Sequence, residues 1–201
     1  MERKPIRLIL ASGSPRRKDL LDEAGLAFSI ESAQVEELSG IEWTARELCL
    51  ANAELKAGVV AHRIPDAVVL GADTVVALDD RVFGKPADLD EARTMLSTLC
   101  GRVHEVFTGV CLMHRESNRV CRFLEATRVQ FRPLEDVDLD DYLATVHTLD
   151  KAGAYAAQED NGRLITCIEG LMSNVIGLPI ERVLHALTEH FPQTLTPKPQ
   201  D

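Results

Sequence analysis

The chain has 201 residues and a formal net charge of −10. Hydrophobic residues make up 45% and charged residues 27%, as in ordinary globular proteins, and a chain of this length can bury roughly 70% of its unfolded surface. The negative charge argues against nucleic acid and anionic membranes as partners, so any bound anion must be held by a local cluster of basic groups.

The sequence shows no pattern typical of a membrane-spanning segment, a signal peptide or a disulfide framework. No apolar run reaches the roughly 20 residues of a membrane span, and the short charged start of residues 1–7 leads directly into a strand, so we expect no signal peptide. The five cysteines are odd in number and form no CxxC pair. This pattern favours reduced core thiols in a cytoplasmic protein over disulfides or a zinc site.

The first half of the chain alternates between predicted strands and helices. Ser14 and Pro15 mark the start of a first helix, Thr44 caps a second, and Asp88 with Glu91 forms a predicted capping box for a third. The predicted strands cover residues 5–11, 27–31 and 67–78 with a short return through 82–83, and the longer helices cover 45–62 and 88–101.

The second half begins with a predicted antiparallel pair over 103–114 and 119–133. A short acidic helix (134–146), a loop or strand (153–158), a strand (164–168) and a last helix (179–190) follow. Because βα units mix with hairpins, we predict an α/β fold with a mixed sheet flanked by helices. We expect one domain over residues 1–192 and a flexible tail over 193–201.

The turn between the first strand and the first helix favours anions. Backbone N–H groups at a helix start attract phosphate, Ser12 and Ser14 add hydroxyl groups, and Arg16 and Arg17 add positive charge. Neighbouring helix positions lie about 100° apart, so we expect one arginine to face a phosphate and the other to face something else. The alternative is a capped helix with solvated arginines.

Asp73 interrupts an otherwise apolar strand within Gly71-Ala72-Asp73-Thr74. A buried carboxylate costs several kcal/mol unless it is paired or bound to metal. Asp73 is therefore a candidate general base or metal ligand, with a strand-end carboxylate satisfied by backbone N–H groups as the alternative.

Four weaker candidates complete the set. None of these short patterns is specific alone, so each candidate could instead be a solvated surface residue or part of a packed loop without a function. They are Lys85 in Gly84-Lys85-Pro86, the loop acids Glu36 and Glu37, the helix lysine Lys56, and Gln158 after the small-residue stretch 150–155. Carboxylates that hold Mg²⁺ or Mn²⁺, together with cations that neutralise phosphates, are the usual groups for attack at phosphorus.

Taken together, these stretches resemble the Maf family of nucleoside triphosphate pyrophosphatases, once described as septum-formation inhibitors. The matching pieces appear in family order from residue 8 to about 185: 11–17, 35–37, 56–57, 71–74, 84–86, 150–155 with 158, and 177–179. The resemblance implies a fold related to the inosine triphosphate pyrophosphatases, with two lobes around a central cleft and often a homodimer.

The resemblance also implies a reaction and a set of site residues. A nucleoside triphosphate would be cleaved between its α- and β-phosphates, with a divalent cation, Mg²⁺ or Mn²⁺, as cofactor. Asp73 would accept the proton, Glu37 and Asp73 would hold the metal, and Lys56 and Lys85 would act with them in catalysis. Ser12 and Arg17 would bind the substrate phosphates.

Three positions track substrate choice in the family, and here they hold Arg16, Thr74 and Gln158. This is the pattern of the subgroup that hydrolyses dTTP and UTP. The stretches 159–162 and 173–176 depart from that subgroup, so that a 7-methyl-GTP pyrophosphatase is an alternative. A nucleotide-binding regulator of septum formation without turnover is another, and a phosphomonoesterase ranks last.

Overall fold

The computed structural model describes residues 5–40 and 42–195. Within them a seven-stranded mixed sheet forms the centre. Its strands are β1 (Leu8–Leu10), β2 (Phe28–Ile30), β3 (Val68–Leu78), β4 (Arg81–Phe83), β5 (Val103–His114), β6 (Arg119–Phe131) and β7 (Ile165–Glu169). The order is β2-β1-β3-β5-β6-β7, with β4 paired to β3. β1 is parallel to β2 and to β3, and the other pairings are antiparallel.

Helices flank this sheet, which confirms the predicted α/β class. They are α1 (Pro15–Glu23), α2 (Ala45–Arg63), α3 (Leu89–Leu99), α4 (Asp136–Thr145), α5 (Met172–Ile176) and α6 (Ile180–His190). None of the helices in the described ranges combines the length and apolar character needed to cross a membrane.

The buried side chains of the described residues form four clusters, and two of these define two lobes. One core joins α1 and α6 to β1 and the adjoining parts of β3 and β5. Another joins α3 and α4 to the far ends of β3, β5 and β6. The long strands run through both cores, so a cleft can form where the helices of one lobe give way to those of the other.

Helix α2 lies unusually close to the sheet because two glycines face it. A Cβ added at Gly71 would lie 2.2 Å from the carbonyl oxygen of Ala53, and one added at Gly109 would lie 2.4 Å from that of Cys49. Gly109 pairs with Asp73 across the β3–β5 ladder. The glycines therefore bring the backbone of α2 within reach of the strand position that carries the carboxylate.

Three details differ from the sequence predictions. Asp88 accepts the N–H of Glu91, but the Glu91 carboxylate accepts from Ala87 rather than from Asp88, so the capping box is not reciprocal. The segment predicted as loop or strand forms two short 3-10 helices, Ala152–Ala154 and Ala157–Glu159. Helix α5 was not predicted, because five residues are too few to show helical periodicity.

The end of the described chain packs against its start. The N–H of Ile6 donates to the carbonyl of Gln193 (3.1 Å), and Thr194 is buried. Residues 196–201 of the predicted flexible tail lie outside the described residues, so the flexibility of that tail stays a prediction.

All five cysteines are free. Burial raises the pKa of the Cys49 and Cys111 thiols to about 12. These two side chains therefore stay protonated at neutral pH and serve as small core residues. Cys100 and Cys121 are half-buried and Cys167 is exposed, so the prediction of core thiols holds for two of the five.

Candidate active site

A cleft of about 980 Å³ lies between the two lobes. Nine of the residues predicted from the sequence line it, although they come from separate parts of the chain. They are Ser12, Arg16, Arg17, Glu37, Lys56, Asp73, Thr74, Lys85 and Gln158. The fold therefore brings the predicted acids and cations together, as the hypothesis of an anion-binding cleft requires.

Asp73 lies on β3 at the bottom of the cleft, and α2 covers it. Its Oδ1 accepts from Lys56 Nζ at 2.7 Å, and its Oδ2 accepts from Asn52 Nδ2 at 3.3 Å. Asn52 and Lys56 are four residues apart, so both project from the same face of α2. The two donors fix the orientation of the carboxylate and compensate for its burial.

Lys56 bridges two carboxylates. Its Nζ lies 2.7 Å from Asp73 and 2.9 Å from Glu37 Oε1, and the residue is only 7% exposed. Lys56 is therefore not the solvated surface lysine that was the alternative, because the close approach of α2 to the sheet directs its side chain inward.

Glu37 lies on the irregular loop between β2 and α2. Burial alone would raise the pKa of its carboxyl, but the hydrogen bond from Lys56 and the charges of Lys56, Lys85 and Arg17 outweigh burial and lower the pKa. Lys85 and Arg17 are thus close enough to act on Glu37 electrostatically. Its neighbour Glu36 is not among the residues that line the cleft.

Arg17 is buried at the start of α1. Its Nε donates to the carbonyl of Gly177 (2.8 Å), Nη1 to Ser12 Oγ (3.1 Å) and Nη2 to Thr74 Oγ1 (3.2 Å). Burial lowers the pKa of the guanidinium, and the charge of Asp73 acts in the opposite direction. These contacts hold the guanidinium in one orientation at the cleft wall. The hydroxyl of Thr74 also contacts Thr108 Oγ1 at 2.9 Å.

Arg16 points away from Arg17, in agreement with the angular argument from the sequence. Its Nη1 donates to Asp150 Oδ2 (2.5 Å) and its Nη2 to the Asp150 carbonyl (3.1 Å). Lys151 Nζ binds the other oxygen of the same carboxylate at 2.7 Å. Burial would raise the pKa of Asp150, but the hydrogen bonds from Lys151 and Arg16 lower it. Arg16 therefore bridges the two lobes through Asp150.

Gln158 and Lys85 are exposed at the rim of the cleft. The segment before Gln158 is anchored from below, since Tyr155 Oη is hydrogen-bonded to His104 Nε2 (3.0 Å) and the Ala156 N–H donates to Tyr142 Oη (3.0 Å). The N–H of Gly153 donates to the carbonyl of Gly84, the residue before Lys85, at 3.1 Å. The two rim segments are thus tied to each other.

Sequence reasoning missed Asn52, Thr108 and the carbonyl of Gly177 as parts of this site. The helical spacing of Asn52 to Lys56 could have signalled the first. The other two come from distant segments whose contacts depend on the tertiary fold.

Asp73 and Glu37 are two carboxylates of the cleft that could together hold a cation, and Lys56 Nζ pairs with both of them. Among the described residues, no cluster of three His, Cys, Asp or Glu side chains could bind a metal by itself. Mg²⁺ commonly binds one or two carboxylates together with substrate phosphates and water. The donor set of this cleft therefore fits a metal that arrives with a phosphate ligand.

Comparison of the sequence with known protein families shows one match. The model of the Maf-like protein family matches residues 7–190. The chain belongs to the Maf family. The match covers both lobes and every residue of the cleft discussed above.

Several relatives of this Maf protein carry the same name. The dTTP/UTP pyrophosphatase of Bacillus cytotoxicus is 43% identical over 183 residues, covering 91% of this chain and 95% of the relative. The dTTP/UTP pyrophosphatases of Bacillus cereus (strain B4264) and Bacillus anthracis are 41% and 40% identical over the same shares. A solved structure of a HAM1 protein from Coxiella burnetii is 16% identical, with a TM-score of 0.48 over 92% of this chain and 99% of that one.

Proposed function

We propose that this Maf protein is a nucleoside triphosphate pyrophosphatase that hydrolyses dTTP and UTP to the monophosphate and pyrophosphate. The observation that carries the proposal is the buried Lys56 ammonium between Asp73 and Glu37, in a cleft that also holds Arg17 and Lys85. Relatives with the same description, at 40% to 43% identity over 91% of the chain, support this substrate choice.

Asp73 is the proposed general base. A water molecule attacks the α-phosphorus opposite the departing pyrophosphate, and Asp73 takes its proton. Hydrogen bonds from Lys56 and Asn52 hold the carboxylate in one orientation, because both side chains donate to it. General bases of this kind contribute about 10²- to 10⁴-fold to a rate.

The cations of the cleft have separate tasks in this proposal. Arg17 and Lys85 offset the negative charge of the phosphates, and the Ser12 hydroxyl orients Arg17 and adds a hydrogen-bonding group beside it. Asp73 and Glu37 would hold Mg²⁺ or Mn²⁺, which supplies charge neutralisation to the reacting phosphate when bound. Lys56 fixes the two carboxylates relative to each other.

Base choice is assigned to the rim of the cleft. Gln158 carries a carboxamide that can donate to and accept from the edge of a pyrimidine. Thr74 acts on the substrate indirectly through Arg17, because its hydroxyl is hydrogen-bonded to Arg17, Thr108 and the carbonyl of Gly177. Arg16 also lines the cleft, where Asp150 holds it in place.

The purified protein with Mg²⁺ or Mn²⁺ should release pyrophosphate, and no orthophosphate, from UTP and dTTP. The test is a screen of canonical and modified nucleoside triphosphates, including 7-methyl-GTP. Preference for 7-methyl-GTP would contradict the assigned base choice, release of orthophosphate would indicate a phosphomonoesterase, and binding without turnover would indicate a regulator.

The proposal also includes a cytoplasmic location and a homodimer. A cytoplasmic location is supported by the five free thiols. A homodimer follows from the family resemblance, and sedimentation of the purified protein tests it.

The Gln158→Ala variant should lose about tenfold of its preference for dTTP and UTP over other nucleotides, the equivalent of one hydrogen bond. The kcat/KM ratio between UTP and CTP measures this loss. The adjacent exposed residue Glu159 lies outside the cleft lining, so Glu159→Gln is the matched control. Unchanged selectivity in Gln158→Ala would remove Gln158 from base recognition.

A further inference from the structure

Asn52 occupies a position between the proposed base and the loop that carries Glu37. It is only 2% exposed and lies one turn before Lys56 on α2. Its Oδ1 accepts from the Leu38 N–H at 2.7 Å, and its Nδ2 donates to the Leu38 carbonyl at 3.1 Å and to Asp73 Oδ2 at 3.3 Å. One buried amide thus joins the peptide next to Glu37 directly to Asp73.

The orientation of this amide follows from its partners. A backbone N–H can only donate, so the atom facing Leu38 N must be the oxygen, and the carbonyl of Leu38 then meets the nitrogen. The same nitrogen has a second hydrogen, which points to Asp73 Oδ2. Neither a carboxylate nor a hydroxyl could supply two donors and one acceptor at this position.

The Glu37 loop depends on this contact. Residues 31–43 join β2 to α2 without helix or strand in their described part. Among the hydrogen bonds of the described residues, those that reach the backbone of 33–40 are the two between Leu38 and Asn52. The side chain of Glu37 adds its ion pair with Lys56, one turn further along α2.

We propose that Asn52 is a positioning residue that sets the distance between the carboxylates of Glu37 and Asp73, and thereby the fit of the divalent cation. The inference rests on the proposed function, because it concerns the same cleft. Asn52 does not touch the reacting atoms. It acts through Asp73, which it orients, and through Leu38, which it ties to α2.

The first measurement is hydrogen exchange at the Leu38 amide, which requires no activity. In the wild type this amide should exchange more slowly than that of Ser39, and Asn52→Ala should accelerate its exchange about tenfold or more, the equivalent of losing one hydrogen bond. A wild-type Leu38 amide that exchanges as fast as Ser39 would overturn the proposal without any variant.

The second measurement separates metal affinity from nucleotide affinity. With a non-hydrolysable α,β-imido analogue of UTP bound, Asn52→Ala should raise the Kd for Mn²⁺ about 10- to 100-fold, the range for residues that orient metal ligands. The Kd of the analogue without metal should stay at the wild-type value, because Arg17 and Lys85 are untouched. A freed Leu38 amide with wild-type Mn²⁺ affinity would overturn the proposal.

Two further variants guard against a folding artefact. Asn52→Leu keeps the branched shape without hydrogen-bonding groups, and it replaces Asn52→Ala if thermal melting shows that the latter is unfolded. Glu54→Gln lies on the same helix and removes only a surface ion pair with Arg122, so its Mn²⁺ affinity should equal that of the wild type.

The failures of the two proposals are distinguishable. If the wild type releases no pyrophosphate from any nucleotide, the proposed function fails while exchange at Leu38 still reports the contact with Asn52. If the wild type hydrolyses UTP and Asn52→Leu binds Mn²⁺ as the wild type does, only the role of Asn52 fails.

Discussion

Replacing Asp73 by asparagine should reduce the kcat for UTP about 10²- to 10⁴-fold, the usual contribution of a general base. The amide keeps the size of the side chain but cannot accept a proton from water at neutral pH. The substrate should still bind, because the phosphate contacts proposed for Arg17 and Lys85 do not involve Asp73. Steady-state release of pyrophosphate and a calorimetric titration with the imido analogue of UTP measure the two effects.

Asp66→Asn is the matched control for this variant. Asp66 is exposed and pairs with Arg7 on the surface, so its replacement removes a carboxylate without touching the cleft. Wild-type turnover by Asp73→Asn would exclude Asp73 as the base. Equal losses in Asp66→Asn and Asp73→Asn would point instead to a general effect on folding.

The Gly109→Ala variant should be destabilised by about 1–3 kcal/mol, the range for overpacking a tight core. The added Cβ would lie 2.4 Å from the Cys49 carbonyl oxygen and 2.6 Å from the Leu50 nitrogen, so the backbone of α2 has to move. That movement also carries Asn52 and Lys56 away from Asp73. Urea unfolding and UTP turnover should therefore both show the effect.

Gly58→Ala provides the opposite expectation on the same helix. A Cβ at Gly58 meets nothing within 4 Å, and alanine is favoured over glycine inside a helix by about 1 kcal/mol. Gly58→Ala should thus be stabilised and fully active. Unfolding of Gly109→Ala at the wild-type urea concentration would show that α2 does not pack on the sheet as described.

The strands and longer helices could be predicted because their apolar residues follow the periods of two or of 3.6 residues. Strand β3 is an informative case, since it continues through Asp73 without a break. The carboxylate is tolerated there because Lys56 and Asn52 satisfy it from α2. Nothing in the local sequence around Asp73 shows those partners.

The sequence motifs predicted which residues line the cleft, but the partners and orientation of each side chain depend on tertiary contacts. Lys56 is typical of a surface lysine in its own helix, and only the approach of α2 at Gly71 and Gly109 buries it. The spacing of Asn52 to Lys56 places both residues on one face of α2. The contact of Asn52 with Leu38 could not be predicted, because Leu38 lies on a loop without periodicity. The different directions of Arg16 and Arg17 followed from helix geometry, whereas the partner of Arg16, Asp150, lies 134 residues away.

The salt bridge between Arg16 and Asp150 has a consequence for which anions can enter. Asp150 shares its single negative charge between Arg16 and Lys151, so an entering anion must compete with that carboxylate for the Arg16 guanidinium. A singly charged anion such as chloride would gain little from this exchange, whereas a polyanion that contacts several cations at once would gain more. The bridge would thus favour polyanions over singly charged anions at this end of the cleft.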